Sequence, residues 1–152
     1  MSNGKRLQNG FMQKINVTKE GLKQLKTEYE KLKVRRPDAV RELSRARELG
    51  DLSENSLYHA AKARLRSIDS QLRRLSNQIK LARVIQSKKY LVEQNGQQVE
   101  YEIVGDFEAN PSQNKISAYS PIGRSLIGRK PGDEFEISTP SGPLKLIVLK
   151  SD

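Results

Sequence analysis

Residues 58–82 read YHAAKARLRSIDSQLRRLSNQIKLA, a stretch in which apolar residues recur at alternating spacings of three and four. This spacing is typical of a coiled-coil seam, because it keeps a narrow apolar stripe on one face of a helix. The seam positions are Tyr58, Ala61, Leu65, Ile68, Leu72, Leu75, Ile79 and Ala82. A second helix is needed to cover such a stripe.

The preceding stretch supplies that second helix, since its seam has the same spacing. Its positions are Leu22, Leu25, Tyr29, Leu32, Arg36, Ala39, Leu43 and Ala46. The numbers of facing positions add up to 104 in every pair, which indicates antiparallel pairing in one register with a fold-back point at residue 52. We therefore predict one helix from an N-cap at Thr18 to about Leu49, and another from about Glu54 to Ile85.

One residue of the first helix conflicts with a straight rod. Pro37 lies inside the helix, lacks a backbone donor and crowds the preceding turn. Its neighbour Arg36 occupies a seam position opposite Ile68. We expect a kink or an interruption of the helix at this point.

Beyond Ser87 the apolar pattern changes to a period of two, which is typical of strands. The dipeptide Asn95-Gly96 is the preferred two-residue connection of a β-hairpin. The expected elements are strands at Tyr90–Glu93, Val99–Val104, Lys115–Tyr119, Glu134–Thr139 and Leu144–Leu149, with one short helix at Pro121–Gly128. The predicted fold class is α+β: a flexible basic tail at 1–15, an antiparallel coiled-coil hairpin at 16–86 and a small antiparallel β domain at 87–152.

The composition limits the classes of protein and of site. The chain has 152 residues and no cysteine, which excludes disulfides and thiolate metal sites and agrees with a reducing compartment. No apolar run is long enough to span a bilayer. We expect a cytoplasmic protein.

The net charge of +10 is unevenly distributed along the chain. Residues 55–89 contain nine basic residues and one acidic residue. In contrast, the charged residues of the segment 50–54 are two acids and no bases. Arg66, Arg73 and Lys80 recur every seven residues and predict a basic stripe beside the seam. Such a stripe is either a solvated face or a surface for nucleic-acid phosphate, and the scarcity of acids favours phosphate.

Asp51 and Glu54 lie at the predicted fold-back point, and two interpretations fit them. The spacing of three is that of a capping box that opens the second helix. The same spacing on one helical turn allows the two carboxylates to share a divalent metal or to orient a water. Two carboxylates are too few for a selective Mg²⁺ site, so a catalytic pair needs a site completed by another macromolecule.

Several motifs make the chain resemble the bacterial Gre transcript cleavage factors. They are Gly50-Asp51-Leu52-Ser53-Glu54-Asn55-Ser56, the flanking Arg35-Arg36-Pro37 and Tyr58-His59-Ala60-Ala61, and the C-terminal segments Ile103–Ala109 and Ile116–Gly128. The resemblance covers most of residues 16–150. It implies a coiled coil inserted through the secondary channel of RNA polymerase, with an FKBP-like domain docked at the channel entrance.

The resemblance also implies roles for single residues. Asp51 would help to hold a second Mg²⁺ in the polymerase active centre, and Glu54 would position the attacking water. Ser53 and Asn55 would support the tip. Residues of the segment 120–127 would contact the polymerase rim or pack into the domain's own core, and these are Ser120, Pro121, Ile122, Leu126 and Ile127.

The implied factor has no cofactor of its own, acts as a monomer, and works on the RNA 3′ end of a backtracked transcript with the polymerase's Mg²⁺. It is not an enzyme in itself, because the polymerase performs the hydrolysis.

Two departures from the family pattern leave another function open. Leu57 stands where the family commonly has a third acidic residue, and the link from Ile85 to the Asn95-Gly96 hairpin is shorter than usual. Both fit a regulator that occupies the channel without stimulating cleavage. A basic coiled-coil module that binds RNA without polymerase is a third possibility.

Overall fold

Two long antiparallel helices dominate the N-terminal half of the computed structural model, which describes residues 13–51 and 54–152. Helix α1 spans Lys19–Arg47 and helix α2 spans Ser56–Leu81. At about 1.5 Å per residue each helix is roughly 40 Å long. We call α1, α2 and their connection the finger.

The predicted seam is confirmed. Every seam position except Arg36 is buried or half-buried. The buried ones are Ala39, Leu43, Ala46, Ala61, Ile68 and Leu75. The opposite faces of both helices are rich in charged residues, and no helix in the described part of the chain is long and apolar enough to cross a membrane.

Arg36 lies at the seam's edge and forms an ion pair across it. Its Nε donates to Asp69 Oδ1 at 2.6 Å and its Nη2 to Oδ2 at 3.3 Å. These hydrogen bonds lower the pKa of Asp69 and raise that of Arg36. A second pair, Arg64 with Glu42, joins the helices nearer the fold-back point.

Of the kink or interruption expected at Pro37, the interruption does not occur, since α1 is continuous through this residue, and the kink stays a prediction. Pro37 is exposed, so its ring lies away from the seam. The buried Ala39 and Leu43 follow within two turns and pack against α2. This packing compensates for the one hydrogen bond that proline removes.

The predicted end of α2 at Ile85 is wrong. The helix ends at Leu81, and Ala82–Ile85 form strand β2. Strand β2 pairs in parallel with β1, Ile15–Thr18, with Ala82 beside Ile15 and Ile85 beside Thr18. β-Branched residues suit this pairing, which therefore replaces the last helical turn. Ile15 belongs to β1 and not to the predicted tail, whose residues 1–12 lie outside the described part.

The predicted N-cap of α1 is confirmed, whereas the start of α2 differs. Thr18 Oγ1 accepts a hydrogen bond from Gly21 N at 3.1 Å. Helix α2 begins at Ser56, and Asn55 is its N-cap, accepting from Tyr58 N at 3.1 Å. The Asn55 side chain also donates from Nδ2 to Ala46 O at 2.8 Å. One amide thus joins the end of α1 to the beginning of α2.

The C-terminal part is a five-stranded sheet, which together with helix α3 (Pro121–Leu126) we call the base domain. Its strands are β3 (Lys88–Gln94), β4 (Gln97–Val104), β5 (Lys115–Ser117), β6 (Glu134–Thr139) and β7 (Gly142–Ser151). The strand order is β5-β4-β3-β7-β6. The α+β class is confirmed.

Most of the sheet is antiparallel as expected, but β4 and β5 are parallel. The connection 105–114 carries the chain back before β5 begins, which is what a parallel neighbour requires. Asn95 and Gly96 both have positive φ, 51° and 73°, as a type I′ hairpin turn demands. The core of the base domain contains Tyr90, Val92, Tyr101, Ile103, Leu126, Ile137, Leu146 and Val148.

The double role of Asn55 is testable by substitution. We expect Asn55→Ala to destabilise the finger by about 1 to 2 kcal/mol, because it removes the cap and the link to Ala46 together. Asn55→Ser should be intermediate, since serine can cap α2 but is too short to reach the Ala46 carbonyl. Urea unfolding followed by helical circular dichroism measures both, and equal stability of the Ser variant and the wild type would contradict the link.

The Arg36–Asp69 pair makes stability depend on pH. The folded pKa of Asp69 lies below its ordinary value of 3.8, chiefly because Arg36 donates to it. Such a carboxyl contributes stability above its unfolded pKa and loses it as the pH falls through the folded pKa. Between about pH 5 and pH 2, wild type should lose stability more steeply than Asp69→Asn, with a small difference because the pair is exposed. Urea unfolding at several pH values in this range measures the free energy of unfolding of both proteins. The same slope of this free energy against pH in both would contradict the prediction.

Candidate functional site

The connection between α1 and α2, residues 48–55, forms the end of the finger remote from the base domain, and we call it the tip. Asp51 and Glu54 both lie in it, beyond the last residue of α1 and before the N-cap of α2, and both are exposed. Leu52 and Ser53 lie outside the described residues, so the supporting role predicted for Ser53 stays a prediction. Asp51 and Glu54 are thus at the apex that the seam register predicted.

The tip is shaped by a glycine and an amide. Gly50 has φ +108°, a conformation that side chains disfavour, and it lets the chain turn away from α1. Asn55 then supplies the cap of α2. The capping-box interpretation of Asp51 and Glu54 is therefore wrong, because α2 starts two residues after Glu54 and its cap comes from another side chain.

The exposed carboxylates of Asp51 and Glu54 are oxygen donors of the kind that Mg²⁺ prefers. Among residues 13–51 and 54–152, no group of three or more His, Cys, Asp or Glu side chains is arranged to hold a metal ion. Mg²⁺ requires six oxygen ligands and retains several waters. An octahedral site that includes Asp51 and Glu54 would need further ligands, and the shared Mg²⁺ predicted for Asp51 stays a prediction.

Two apolar side chains lie beside the acidic residues. Leu49 is 65% exposed and Leu57 is 63% exposed. Both line a shallow depression that also includes Ala60. Leu57 therefore occupies the surface in the first turn of α2, where a charged side chain would be equally well accommodated.

The predicted basic stripe is exposed along α2. The side chains of Arg66, Arg73 and Lys80 are all exposed to solvent. Arg66 and Arg73 line one shallow depression together with Asp69. The positive charge of Arg73 contributes to lowering the pKa of Asp69, behind the larger effect of Arg36. The stripe is accessible to an anionic ligand, and its role in binding nucleic acid stays a prediction.

The five residues predicted for docking at 120–127 have different environments. Ser120 is the N-cap of α3, accepting from Gly123 N at 3.0 Å, and Pro121 is exposed at the first turn. Ile122 is half-buried against the core. Leu126 is fully buried, so the structure removes it from the docking surface, whereas Ile127 is 52% exposed.

A contact that no pattern in the sequence predicts joins the base domain to the start of the finger. The loop 105–108 after β4 hydrogen-bonds to β1, immediately before α1. The only sequence signal for it was the motif Ile103–Ala109, which resembled the Gre factors without indicating what its residues touch. Long-range contacts of this kind have no local periodicity to reveal them.

Comparisons with known proteins agree with this architecture. Residues 15–84 match the family model described as "Transcription elongation factor, N-terminal", and residues 77–151 match "Transcription elongation factor, GreA/GreB, C-term". Transcription elongation factor GreA of a Nitratiruptor species is 39% identical over 151 residues, covering 91% of this chain and 93% of that protein. The GreA of an Anaeromyxobacter species is 41% identical over 145 residues, covering 86% and 87%.

A solved structure of GreA factor homolog 1 (Gfh1) of Thermus thermophilus is similar at 24% identity and a TM-score of 0.45, with 92% of this chain and 99% of that chain covered. The two family models together span both the finger and the base domain, and the relatives are similar along nearly their whole length. The chain belongs to the GreA/GreB family of transcription elongation factors.

Proposed function

We propose that the protein enters the secondary channel of RNA polymerase and stimulates the polymerase's own cleavage of backtracked RNA, which rescues arrested complexes. The observation that supports this most directly is the placement of Asp51 and Glu54. They are exposed at the end of a finger roughly 40 Å long, and the helix cap next to them comes from Asn55. A slender rod with acidic groups at its apex suits delivery of those groups into another protein's active centre.

The chemistry follows from the two carboxylates. Asp51 would act as one ligand of a Mg²⁺ ion that it shares with the polymerase. Such an ion lowers the pKa of a bound water and stabilises the charge that develops on the phosphate. Glu54 would accept a hydrogen bond from the attacking water and orient it toward the phosphodiester. The protein has no free-standing active site in this proposal, because the remaining ligands and the RNA are held by the polymerase.

The rest of the molecule would hold the partners in place. Arg66, Arg73 and Lys80 are exposed on α2, where they can contact phosphates of the displaced RNA 3′ segment. Pro121 and Ile127 are exposed on the base domain and would contact the rim of the channel. The protein would act as a monomer in the cytoplasm.

One feature favours a second candidate function, a regulator that occupies the channel without stimulating cleavage. Leu57 places an exposed apolar side chain at the tip, in a position where the family commonly has an acid. A tip with less negative charge attracts a divalent cation less strongly. Occupation of the channel alone would then slow RNA synthesis.

The two acidic residues give the first test. The double variant Asp51→Asn, Glu54→Gln should lower stimulated cleavage in halted, backtracked complexes by at least about 100-fold, since it removes a metal ligand and a group that orients water. Gel analysis of the labelled transcript measures the rate. Glu48→Gln is the matched control, because it removes one negative charge from the same end of the finger outside the motif.

Unchanged cleavage in the double variant would overturn the proposed mechanism. Slowed synthesis without cleavage products from the wild type would support the channel regulator instead. RNA binding without any association with polymerase would support the basic RNA-binding module.

Leu57 gives the second test. Leu57→Glu should raise stimulated cleavage about two- to fivefold, as expected when one negative charge is added within roughly 8 Å of a cation in a water-filled channel. Leu57→Gln is the control, because glutamine is polar and as long as glutamate but adds no charge. The magnesium concentration needed for half-maximal cleavage should fall for the Glu variant only. The same half-maximal magnesium concentration in both variants would show that charge at this position does not matter.

A further inference from the structure

The carboxylate of Glu108 connects the base domain to the first turn of the finger. Its Oε2 accepts hydrogen bonds from Thr18 N at 2.8 Å and from Gly105 N at 2.9 Å. Its Oε1 accepts from the Thr18 hydroxyl. Since Thr18 Oγ1 itself accepts from Gly21 N, the cap of α1 is linked to a side chain of the base domain.

A second set of bonds runs beside this one. Asp106 N donates to Asn16 O at 2.9 Å, and Asn16 N donates to Asp106 Oδ2 at 3.1 Å. Arg83 of β2 donates from Nε and Nη2 to Asn16 Oδ1 at 2.9 and 2.7 Å. Residues from β1, β2 and the loop after β4 therefore meet at one place, which we call the junction.

The junction is closely packed as well as hydrogen-bonded. A Cβ atom on Gly105 would lie 2.6 Å from Asn16 O and 2.7 Å from Val17 Cα, which are backbone atoms that cannot yield. A Cβ on Gly21 would collide with the Glu108 carboxylate. The loop and the finger thus approach as closely as glycine permits.

The length of the finger makes the angle at the junction matter. For a lever of roughly 40 Å, a rotation of about ten degrees displaces the tip by roughly 7 Å. A misplacement of about 1 Å is enough to weaken a catalytic arrangement substantially. A base domain docked on the polymerase can place the tip accurately only if the junction holds this angle.

We propose that Glu108 is a positioning residue: through Thr18 it holds the finger at the angle at which the tip, with the base domain docked, reaches the polymerase active centre. This inference rests on the proposed function for its effect on cleavage. The geometric part concerns the free protein alone. Glutamine is close to glutamate in shape, and its carbonyl oxygen can take the two N–H donors while its amide donates to the Thr18 hydroxyl. The hydrogen-bonding geometry of Glu108, and not its charge, is the feature that positions the finger.

The absence of cysteine from the sequence makes a direct measurement possible. Two cysteines introduced at the exposed positions Ala63 on α2 and Ser141 on the base domain carry spin labels, and pulsed electron spin resonance measures their distance distribution. Wild type and Glu108→Gln should each give one narrow distribution. Glu108→Ala, and independently Gly105→Val, should broaden or shift it. Glu136→Ala, at an exposed carboxylate on β6, is the matched control and should match wild type.

Cleavage assays on backtracked complexes complete the test. Glu108→Ala should lower the maximal stimulated rate at least tenfold while the factor concentration for half-maximal stimulation changes less than about threefold, and Glu108→Gln should retain more than half of the maximal rate. Circular dichroism must show unchanged helix content in each variant, which separates misplacement from unfolding.

An unchanged distance distribution in Glu108→Ala would overturn the proposal, as would a broadened one with undiminished maximal cleavage. If wild type stimulates no cleavage at all, the proposed function fails, while the distance measurement still decides whether Glu108 holds the finger.

Discussion

The antiparallel seam between α1 and α2 is the contact on which the other features depend. Its spacing of three and four places small and branched apolar residues along one stripe of each helix. The two stripes cover each other along their whole length in one register. That register brings Arg36 to Asp69 and Arg64 to Glu42 across the seam. It also brings Ala46 close enough to Asn55 for a hydrogen bond, so the turn at the tip is set by the same register. A shift of the helices would break all three contacts together.

The base domain and the finger differ in how they bury their apolar residues. The base domain buries a contiguous core around Leu126, Leu146 and Val148, as a small sheet must to be stable. The finger has only a thin apolar stripe, and its stability depends on the packing of that stripe along the helices and on the helix caps, because the exposed cross-seam pairs contribute little. This leaves almost all of its surface free for charged side chains. Negative charge is concentrated at the tip and positive charge along α2, as a partner with both a cation and a polyanion would require.

Asp51 and Glu54 are exposed at the tip, whereas the neighbouring Asn55 is half-buried. The Asn55 side chain accepts from Tyr58 N and donates to Ala46 O, so a neutral amide links the two helices beside the acidic pair. The proposed function requires both carboxylates to reach a cation held by a partner, and their exposure is consistent with that requirement.

Features that repeat along the chain or act locally could be predicted from the amino-acid sequence. The three-four spacing predicted the helices, their antiparallel register and the placement of Asp51 and Glu54 between them. Short-range rules predicted the Thr18 cap, the Asn95-Gly96 turn and the strand at Glu134–Thr139, which the structure has with the same bounds. Resemblance of motifs indicated the family, although the roles assigned to single residues remain proposals.

Features that depend on contacts between residues distant along the chain became visible in the folded molecule alone. Ala82–Ile85 continue the helical pattern of α2, yet they form a strand because β1 offers them backbone partners. Pro37 should disturb a helix, yet α1 continues because the seam packs on both sides of it. No pattern in the sequence distinguished Leu126 from Ile127, yet Leu126 is buried in the core and Ile127 is exposed. The junction of Glu108 with Thr18 joins residues ninety positions apart, where no local pattern exists, because hydrogen bonds between separate elements are set by how the elements pack.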